Sequence, residues 1–389
     1  MDGGGCYDLA VVGGGPAGAA AALAARQTRP DARVLLLDKA DFPRDKACGD
    51  AIAAHAGDEL VSLGAGSVLD AWPSVARLRL RSPEGRVAAR RCRRVNWVMP
   101  RRVFDARLVQ AAESAGVQRR TERVRRVEQR HDMVVLNGRI AARVVVGADG
   151  ANSTVRRLLG VAPNPPGHLA VAVRGYGRAP AGSPEQLIAM VAEGWPSYAW
   201  SFPVGDGTAN VGYGLLRDRF EGGKNQLHAR LSAALPDAQP DAASLRAHHL
   251  PFSSRRPVPA LGRVLLAGDA ASLINPLSGE GIYYALLSGR LAGMCAVEDP
   301  SAAARRYPRL LADHLGRHLS HTRMFAGVIR HRRFVEAAVT AAAADQLVFD
   351  RMIDLTLGGG LVSARSLGRV AAAYVSPRLW ATGPHGRLA

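Results

Sequence analysis

The chain reads as an α/β protein whose nucleotide-binding domain is discontinuous, and three observations carry that reading. A β-rich run, Tyr7 to Val12, ends in Gly13-Gly14-Gly15-Pro16-Ala17-Gly18 and passes straight into an alanine-rich helical segment, Ala17 to Arg26. A second β-rich run, Arg33 to Leu37, closes on an acid, Asp38. Two later β-rich runs end in Gly147-Ala148-Asp149-Gly150 and Ala267-Gly268-Asp269-Ala270, so pieces of one domain recur far apart in the chain.

The first strand, loop, helix and second strand form a βαβ unit of about 30 residues. In Gly13-x-Gly15-x-x-Gly18 the first glycine allows a tight turn and the second lets backbone approach a pyrophosphate. The third lets the helix, opened by Pro16 and Ala17, pack against the sheet. Phosphates then meet the helix N-terminus, where unpaired N–H groups and the dipole favour anions. Asp38 lies 20 residues past Gly18, with Lys39 beside it. A carboxylate there binds ribose hydroxyls and disfavours a 2′-phosphate. This is a Rossmann-like dinucleotide site, with NAD or FAD as the ligand.

The remaining elements follow in order. Val75 to Val98 alternates around Ser82-Pro83-Glu84-Gly85 and predicts a β-hairpin region. Phe104 to Ala115 predicts a helix, and Thr121 to Val135 and Ile140 to Val146 predict strands. Ala170 to Gly214 is strand-rich, Asn225 to Leu235 helical, Val264 to Leu266 a strand, and Gly281 to Val297 a helix. From Ser301 onward the chain is rich in alanine and arginine at helical spacing, broken by Gly358-Gly359-Gly360. The nucleotide-binding pieces therefore span 1–74, 100–165 and 255–300. A β-rich substrate domain takes 75–99 and 166–254, and a helical C-terminal region takes 301–389.

With 389 residues, 48% of them hydrophobic, the chain has material for two domains and a real core. The longest weakly polar run, Leu9 to Ala25, holds four glycines and a proline and is no membrane span. Asp2 and Asp8 occupy the place of a basic signal-peptide region, so a cytoplasmic protein is expected. Four cysteines, at 6, 48, 92 and 295, lack metal-ligand spacing, which argues against zinc and against a disulfide framework. The formal net charge is +18, and lysine occurs only at 39, 46 and 224, so the charge is almost all arginine. Such a field suits anionic substrates, pyrophosphates or peripheral association with an anionic membrane. The arginines are spread rather than blocked and no nucleic-acid motif is present, so a nucleic-acid partner is disfavoured.

With all three glycine motifs in place, the chain resembles the para-hydroxybenzoate-hydroxylase-like superfamily of FAD enzymes. The resemblance selects FAD over NAD. It implies that Asp269, after Gly268, binds the ribityl chain and that the Asp149 motif lies near the pyrophosphate. Arg101, three residues before Phe104-Asp105, matches a cofactor-contacting arginine, with Arg102 an adjacent candidate. The plain alternative for either aspartate is helix N-capping. Asn275-Pro276-Leu277-Ser278-Gly279-Glu280-Gly281 opens the next helix at Ile282. Its glycines leave N–H groups free to approach a planar ring, and a helix N-terminus there stabilises negative charge on a reduced flavin.

Two further motifs select a branch. Pro43-x-x-Lys46-x-Cys48-Gly49 and Tyr198-x-Trp200-x-Phe202-Pro203, followed by Ala209-Asn210-Val211-Gly212, resemble the geranylgeranyl reductase family over residues 5 to 300. That family has this fold, uses FAD and saturates isoprenoid double bonds. The resemblance implies that the Lys46-x-Cys48-Gly49 loop packs beside the isoalloxazine and that Tyr198, Trp200 and Phe202 line the substrate cavity. In a strand those three share one face, and Trp195 is close by in sequence. An apolar tunnel wall is the functional reading; a sheet face packed on a helix is the alternative. Alkene reduction needs a hydride from the flavin and a proton from an acid. Cys48 is one candidate, although Lys46 lowering its pKa would help a thiolate and hurt an acid, and Tyr198 is another; a packing role for Cys48 is the alternative.

The expected function is an FAD-dependent oxidoreductase that reduces, or in reverse forms, carbon–carbon double bonds of an apolar isoprenoid-like or specialised metabolite. NAD(P)H or a reduced carrier is the expected electron source; no second nucleotide fingerprint is visible. The alternative is a flavin monooxygenase or halogenase on the same fold. A halogenase needs a placed lysine, for which Lys46 is the candidate, but Tyr198 and Phe202 replace the ends of the Trp-x-Trp-x-Ile-Pro pattern. A basic flavin-binding scaffold is a third reading, weakened by retention of every FAD motif.

Overall fold

The computed structural model describes residues 5–376 apart from 181 and 183. Its strands form two eight-stranded sheets. In the first, Val264–Leu266, Ile140–Gly147, Tyr7–Val12, Val34–Asp38 and Gln118–Thr121 lie side by side in that order and run parallel. Every residue of Val34–Asp38 is buried. A parallel strand covered on both faces needs such an unbroken apolar run. The register pairs Val12 with Gly147, and Gly147 with Leu266. All three glycine motifs therefore emerge together at the carboxyl ends of neighbouring strands, where ligands of open α/β sheets bind.

Pro16 opens the helix Pro16–Thr28, where its missing N–H leaves no bond unmade. Ten of the helix's residues are buried, most of them alanine. Small side chains let it press against Ile282–Glu298, and it also contacts Arg101–Ser114.

The second sheet runs Arg246–Pro251, Leu169–Arg178, Thr208–Leu216, Ser197–Pro203, Gln186–Val191, Ser74–Arg81, Val87–Val98 and Ala51–Ile52. Its pairs are antiparallel except Gln186–Val191 with Ser74–Arg81. Val173, Val211 and Tyr213 pack with Leu227 and Leu231 of the helix Lys224–Ala234. Leu78, Leu80, Ala88 and Cys92 pack instead with Val335, Val339, Val348, Phe349 and Val370. The C-terminal helices Arg332–Ala344, Gln346–Leu357 and Ala364–Val375 thus cover part of this sheet, while Ala303–Val328 packs on Ile282–Glu298 and the edge of the first sheet. Glu336, fully buried, fastens the cover: it accepts from Ser82 Oγ at 2.5 Å and Glu84 N at 2.9 Å.

Thr121 to Val135 is not one strand. The ladder breaks between Gln118–Thr121, Val127–Gln129 and Val134–Leu136. Glu122 to Arg126 is too polar to bury a face, and the Asn137 side chain takes up its backbone, accepting from Arg125 N at 2.8 Å. Among the described residues no helix is long and apolar enough to cross a membrane.

Candidate active site

Gly13 has φ +108°, and a Cβ there would overlap the Ala148 carbonyl, so the first loop closes directly on the second motif. Asp38 holds the loop from the other side. Its Oδ2 accepts from Gly14 N at 2.7 Å and Arg44 Nη2 at 3.3 Å, and its Oδ1 from Ala40 N at 3.0 Å. A carboxylate has about four acceptor sites, which leaves one for a ribose hydroxyl. Lys39 next to it is exposed.

The Pro43–Asp50 loop crosses from the first sheet to the second and is tied at Arg44, Asp45, Lys46, Cys48 and Asp50. Arg44 bridges Asp38 and Asp105, the latter at 3.1 Å. Buried Arg101 makes a bidentate pair with Asp105, at 2.6 and 2.8 Å. Arg174 pairs with Asp45 and donates to the Lys46 carbonyl at 3.2 Å. Lys46 Nζ lies 3.5 Å from Asp269 Oδ2. Asn210 Nδ2 donates to the Cys48 carbonyl at 2.9 Å and to Asp50 Oδ2 at 2.8 Å, while its Oδ1 accepts from Trp200 Nε1 at 2.9 Å. One amide thereby links the cysteine loop to the aromatic strand. Tyr176 donates to Asp50 at 2.5 Å, and burial still pushes this carboxyl up to about 6.

A cavity of about 170 Å³ lies between these loops and the second sheet. Gly15, Pro16, Ala17, Lys46, Cys48, Gly49 and Arg101 line it from one side. Tyr198, Trp200, Phe202 and His248 line it from another, and Asp269, Gly279, Glu280, Gly281 and Ile282 from a third. The aromatic rings form a row, 5.8 Å from Tyr198 to Trp200 and 6.5 Å from Trp200 to Phe202. Gly212 makes room for it, since a Cβ there would overlap the Trp200 indole.

The titratable groups here are far from their solution behaviour. Burial pushes the Cys48 thiol up, and the Arg101 charge opposes that only in part. The expected lowering by Lys46 is not what the structure shows: Lys46 pairs with Asp269, Arg101 is the neighbouring cation, and the thiol stays protonated near neutral pH. Burial likewise raises Tyr198, and it pushes Glu280 up to about 7 although the carboxylate accepts from Tyr283 N at 2.9 Å. Burial, with Lys46 nearby, pushes His248 down to about 4. Its Nε2 is buried without a hydrogen-bond partner.

These residues fit FAD. Gly15 presents open backbone beside Arg101, Asp38 keeps acceptor capacity, and the helix Ile282–Glu298 points its N-terminus at the cavity. The orphaned His248 nitrogen calls for a polar ligand atom.

Not every expected contact lies in the cavity. Asp149 is occupied by its own turn: it accepts from Thr154 N at 2.6 Å, Val155 N at 3.1 Å and the hydroxyl of Ser153, the N-cap of the helix Thr154–Leu158. Its neighbours Ala148 and Gly150 line the cavity. Arg102 is exposed, because helical spacing turns it away from Arg101. Gly268 is buried and donates to Ser288 Oγ at 2.9 Å, and Gly18 sits behind the loop, where a Cβ would overlap the Gly13 carbonyl.

Trp195 and Pro276 line a second cavity, apolar and about 240 Å³. It meets the first at Leu78, Ile188, Tyr198, Ser278 and Leu357, which wall both. Its far side is built by the C-terminal helices through Phe325, Phe334, Val335, Met352 and Val370. Sequence reasoning missed these walls, along with Glu280, His248 and Asp50. The signal for the walls was the helical spacing of Val335, Ala338 and Val339.

The geometry defines a flavin-dependent oxidoreductase with an apolar chamber beside the flavin site. The sequence profile described as lycopene cyclase protein matches residues 8–173. A menaquinone reductase of Mycobacterium tuberculosis is 34% identical, over 84% of this chain and 85% of that protein. Digeranylgeranylglycerophospholipid reductase 2 of Methanopyrus kandleri is 31% identical, over 80% and 83%. The crystal structure of a geranylgeranyl bacteriochlorophyll reductase-like protein from Thermoplasma acidophilum superposes with a TM-score of 0.79 at 20% identity, over 96% and 97% of the two chains. The chain belongs to the geranylgeranyl reductase family of FAD-dependent oxidoreductases.

Proposed function

We propose that the protein reduces carbon–carbon double bonds of a prenyl-type chain, with electrons drawn from NAD(P)H or a small reduced carrier. The observation that carries this reading is Tyr198 standing as a common wall between the flavin-side cavity and the apolar cavity. A chain lying in the apolar cavity passes Tyr198 to reach the flavin side. The relatives named above, reductases of a quinone and of a prenylated lipid, support the same reading.

FAD, once bound and reduced, supplies a hydride. One alkene carbon takes that hydride and the other takes a proton from the protein, so the double bond becomes a CH–CH single bond. The electron donor would supply the two electrons of each cycle, and water reprotonates the acid. Cys48 and Tyr198 face the cavity carrying protons, and Glu280 titrates where a proton donor working at neutral pH is most effective. Lys46 pairs with Asp269 and would hold its carboxylate in place for the cofactor. Asn210 positions Cys48 by its backbone carbonyl.

The positive charge and an apolar substrate favour work at an anionic membrane surface from the cytoplasmic side. The halogenase alternative loses ground at Lys46. It is the lysine that lines the cavity, and it is ion-paired with Asp269 rather than free to carry an oxidised halogen.

The deciding experiment is anaerobic. The flavin is reduced with dithionite and a geranylgeranyl or menaquinone-type substrate is added. Reoxidation without oxygen, with two hydrogens gained by the substrate, is the expected result. A flavin that stays reduced until oxygen enters would transfer the reading to the monooxygenase class.

A further inference from the structure

The helix Gln346–Leu357 ends against the flavin-side loop, and its last turn walls the substrate space: Leu355 and Thr356 line the apolar cavity, and Leu357 lines both cavities. Gly358, Gly359 and Gly360 then form a strap leading to Val362 and Ser363, which line the apolar cavity again. The last carbonyls of a helix have no partner within it. Here buried side chains from elsewhere satisfy them. Asn275 Nδ2 donates to the Leu355 carbonyl at 2.9 Å and the Thr356 carbonyl at 3.1 Å, and Ser278 Oγ donates to the latter at 2.5 Å. The Tyr284 hydroxyl donates to the Gly358 carbonyl at 2.9 Å, and His318 Nδ1 lies 2.7 Å from the Gly360 carbonyl. Tyr284 and His318 are both buried, and the hydroxyl meets His318 Nε2 at 2.8 Å.

This network closes with only one count of protons. A carbonyl only accepts, so His318 Nδ1 carries a proton for Gly360, and the single hydroxyl proton of Tyr284 goes to Gly358. Burial keeps that proton on the tyrosine, and Asn275 Nδ2 donates to the same hydroxyl at 3.0 Å. His318 Nε2 must then donate to Tyr284, which makes the ring an imidazolium. A neutral ring leaves either Nε2 or the Gly358 carbonyl without a proton to accept. The negative end of the helix dipole favours the cation. Burial opposes it and holds the imidazole below its ordinary value; the Gly360 bond works the other way, and His321 and His55 reinforce burial. The other titratable groups around the ring are Tyr283, stacked edge-on to Tyr284, Glu280, whose charge reaches Tyr284, and Asp354, whose charge reaches His55. His321 accepts from Val362 N at 3.2 Å through Nδ1, so it carries no proton there.

We infer that His318 is a positioning residue of the apolar chamber: with a proton on each ring nitrogen it holds Tyr284 and the 358–360 strap in the arrangement that walls the chamber, and giving up the second proton to water loosens the strap. His318 lines neither cavity, so it acts through Tyr284 and the strap. The strap is drawn in as close as glycine permits, since a Cβ at Gly358 would overlap the His55 ring and one at Gly360 the Asp354 backbone. Asn275 and Ser278 belong to the loop that opens the helix Ile282–Glu298, so the same bonds join the chamber wall to the flavin side. The inference deepens the ene-reductase reading, and it rests on that reading only in taking the chamber as the place of the substrate chain.

The test labels the histidine ring nitrogens of the flavin-loaded protein and follows their magnetic resonances between about pH 5 and 8. The resonances missing in His318→Gln identify the ring. A titration between imidazolium and neutral ring is expected inside that window. In Tyr284→Phe, which keeps the aromatic packing and removes the hydroxyl, the midpoint should fall by about one to two pH units. Amide exchange of the 358–360 strap, corrected for its intrinsic pH dependence, should quicken about tenfold as the wild-type ring loses its second proton. In Tyr284→Phe it should be fast across the window. The Val362 amide is left out of the comparison because it answers to His321. A His318 ring that keeps one protonation state throughout overturns the proposal. So does a midpoint that Tyr284→Phe leaves in place, or strap exchange that ignores the titration of the ring. Failure of the ene-reductase reading looks different: ring and strap titrate together, yet no prenyl probe reoxidises the flavin.

Discussion

The two chambers that meet at Tyr198 are made of opposite materials. The flavin-side chamber is assembled largely from loops at strand ends, and its polar wall is fixed by directional bonds: Lys46 to Asp269, Arg101 to Asp105, Asn210 to Cys48, Asp50 and Trp200. The second chamber is assembled from one sheet face and the helical cover, and its walls are mainly leucine, isoleucine, valine, phenylalanine and methionine, with Trp195 and Tyr198 among them. Directional bonds hold atoms in one geometry, as chemistry requires. Apolar packing is non-directional and tolerates repacking at constant volume. The contrast separates a constant reaction from a substrate range that wall residues can retune.

The largest effect expected from breaking the first chamber is Asp269→Ala. It removes a proposed ribityl partner and leaves Lys46 unpaired. Losing hydrogen bonds to a charged group costs about 1.5–3 kcal/mol each, so FAD affinity should fall roughly 10- to 100-fold or more. Flavin content after gel filtration measures it, and a variant that stays fully yellow removes Asp269 from the cofactor site. Binding of a prenyl probe in the other chamber should be nearly untouched.

The second chamber is probed by filling it. Val335→Trp adds bulk to a wall of the apolar cavity, a change that costs about 1–3 kcal/mol when it overpacks. Flavin content should hold, while affinity for a twenty-carbon chain drops about tenfold and a ten-carbon chain loses less. Equal losses for both lengths would mean that the chain does not lie where the cavity is.

What was legible in the sequence divides along the same line. The glycine loop, Asp38, the Lys46-Cys48 loop and the Tyr198-Trp200-Phe202 row are local patterns, because a tight turn, a strand-end acid and a shared strand face are set by neighbours in the chain. The helical cover was legible as helices but not as a chamber wall. The spacing of Val335, Ala338 and Val339 shows that a face is apolar, not which surface it will meet. Charge partners failed for the same reason. Lys46 is two residues from Cys48, yet it reaches across to Asp269 while Arg101 comes in from another helix. Asp149 looked like its counterpart Asp269 because both follow a strand and a glycine. Only the helix Thr154–Leu158 claims the first of them.

Glu280 offers a sharper comparison, since it is a charge placed in a buried wall. Its folded pKa, about 7, stands above the ordinary 4.5 through burial, with the Asp269 charge adding to it. The native state therefore binds the extra proton between those values. Its stabilising contribution is complete below about pH 4.5 and is lost as pH rises through 7. Stability measured by urea unfolding should decline across that window, and Glu280→Gln should flatten the decline, leaving the shorter one from Asp50 between 3.8 and about 6. If Glu280 also feeds the proton, single-turnover flavin reoxidation should slow above pH 7 in the wild type, and Glu280→Gln should be slow with no such limb. A variant that keeps the wild-type pH profile would confine Glu280 to capping its helix.

Cys48→Ala should have the smallest effect, and its value is in where the effect falls. The side chain faces the cavity, but the bond that holds the loop runs from Asn210 to the Cys48 carbonyl, which alanine retains. Flavin content and stability should therefore stay close to wild type. A buried thiol that keeps its proton beside Arg101 can give it up in the transition state, and a positioned acid contributes about 10²-fold at the low end of its usual range. Tyr198 and Glu280 stand on the same cavity and can take over part of that task, so the observed slowing should be nearer tenfold. Cys48→Ser, which restores a proton but a less acidic one, should recover little of it. Turnover unchanged in both variants would make the cysteine a packing residue, and the proton would then come from the tyrosine side of the wall, where the two chambers join.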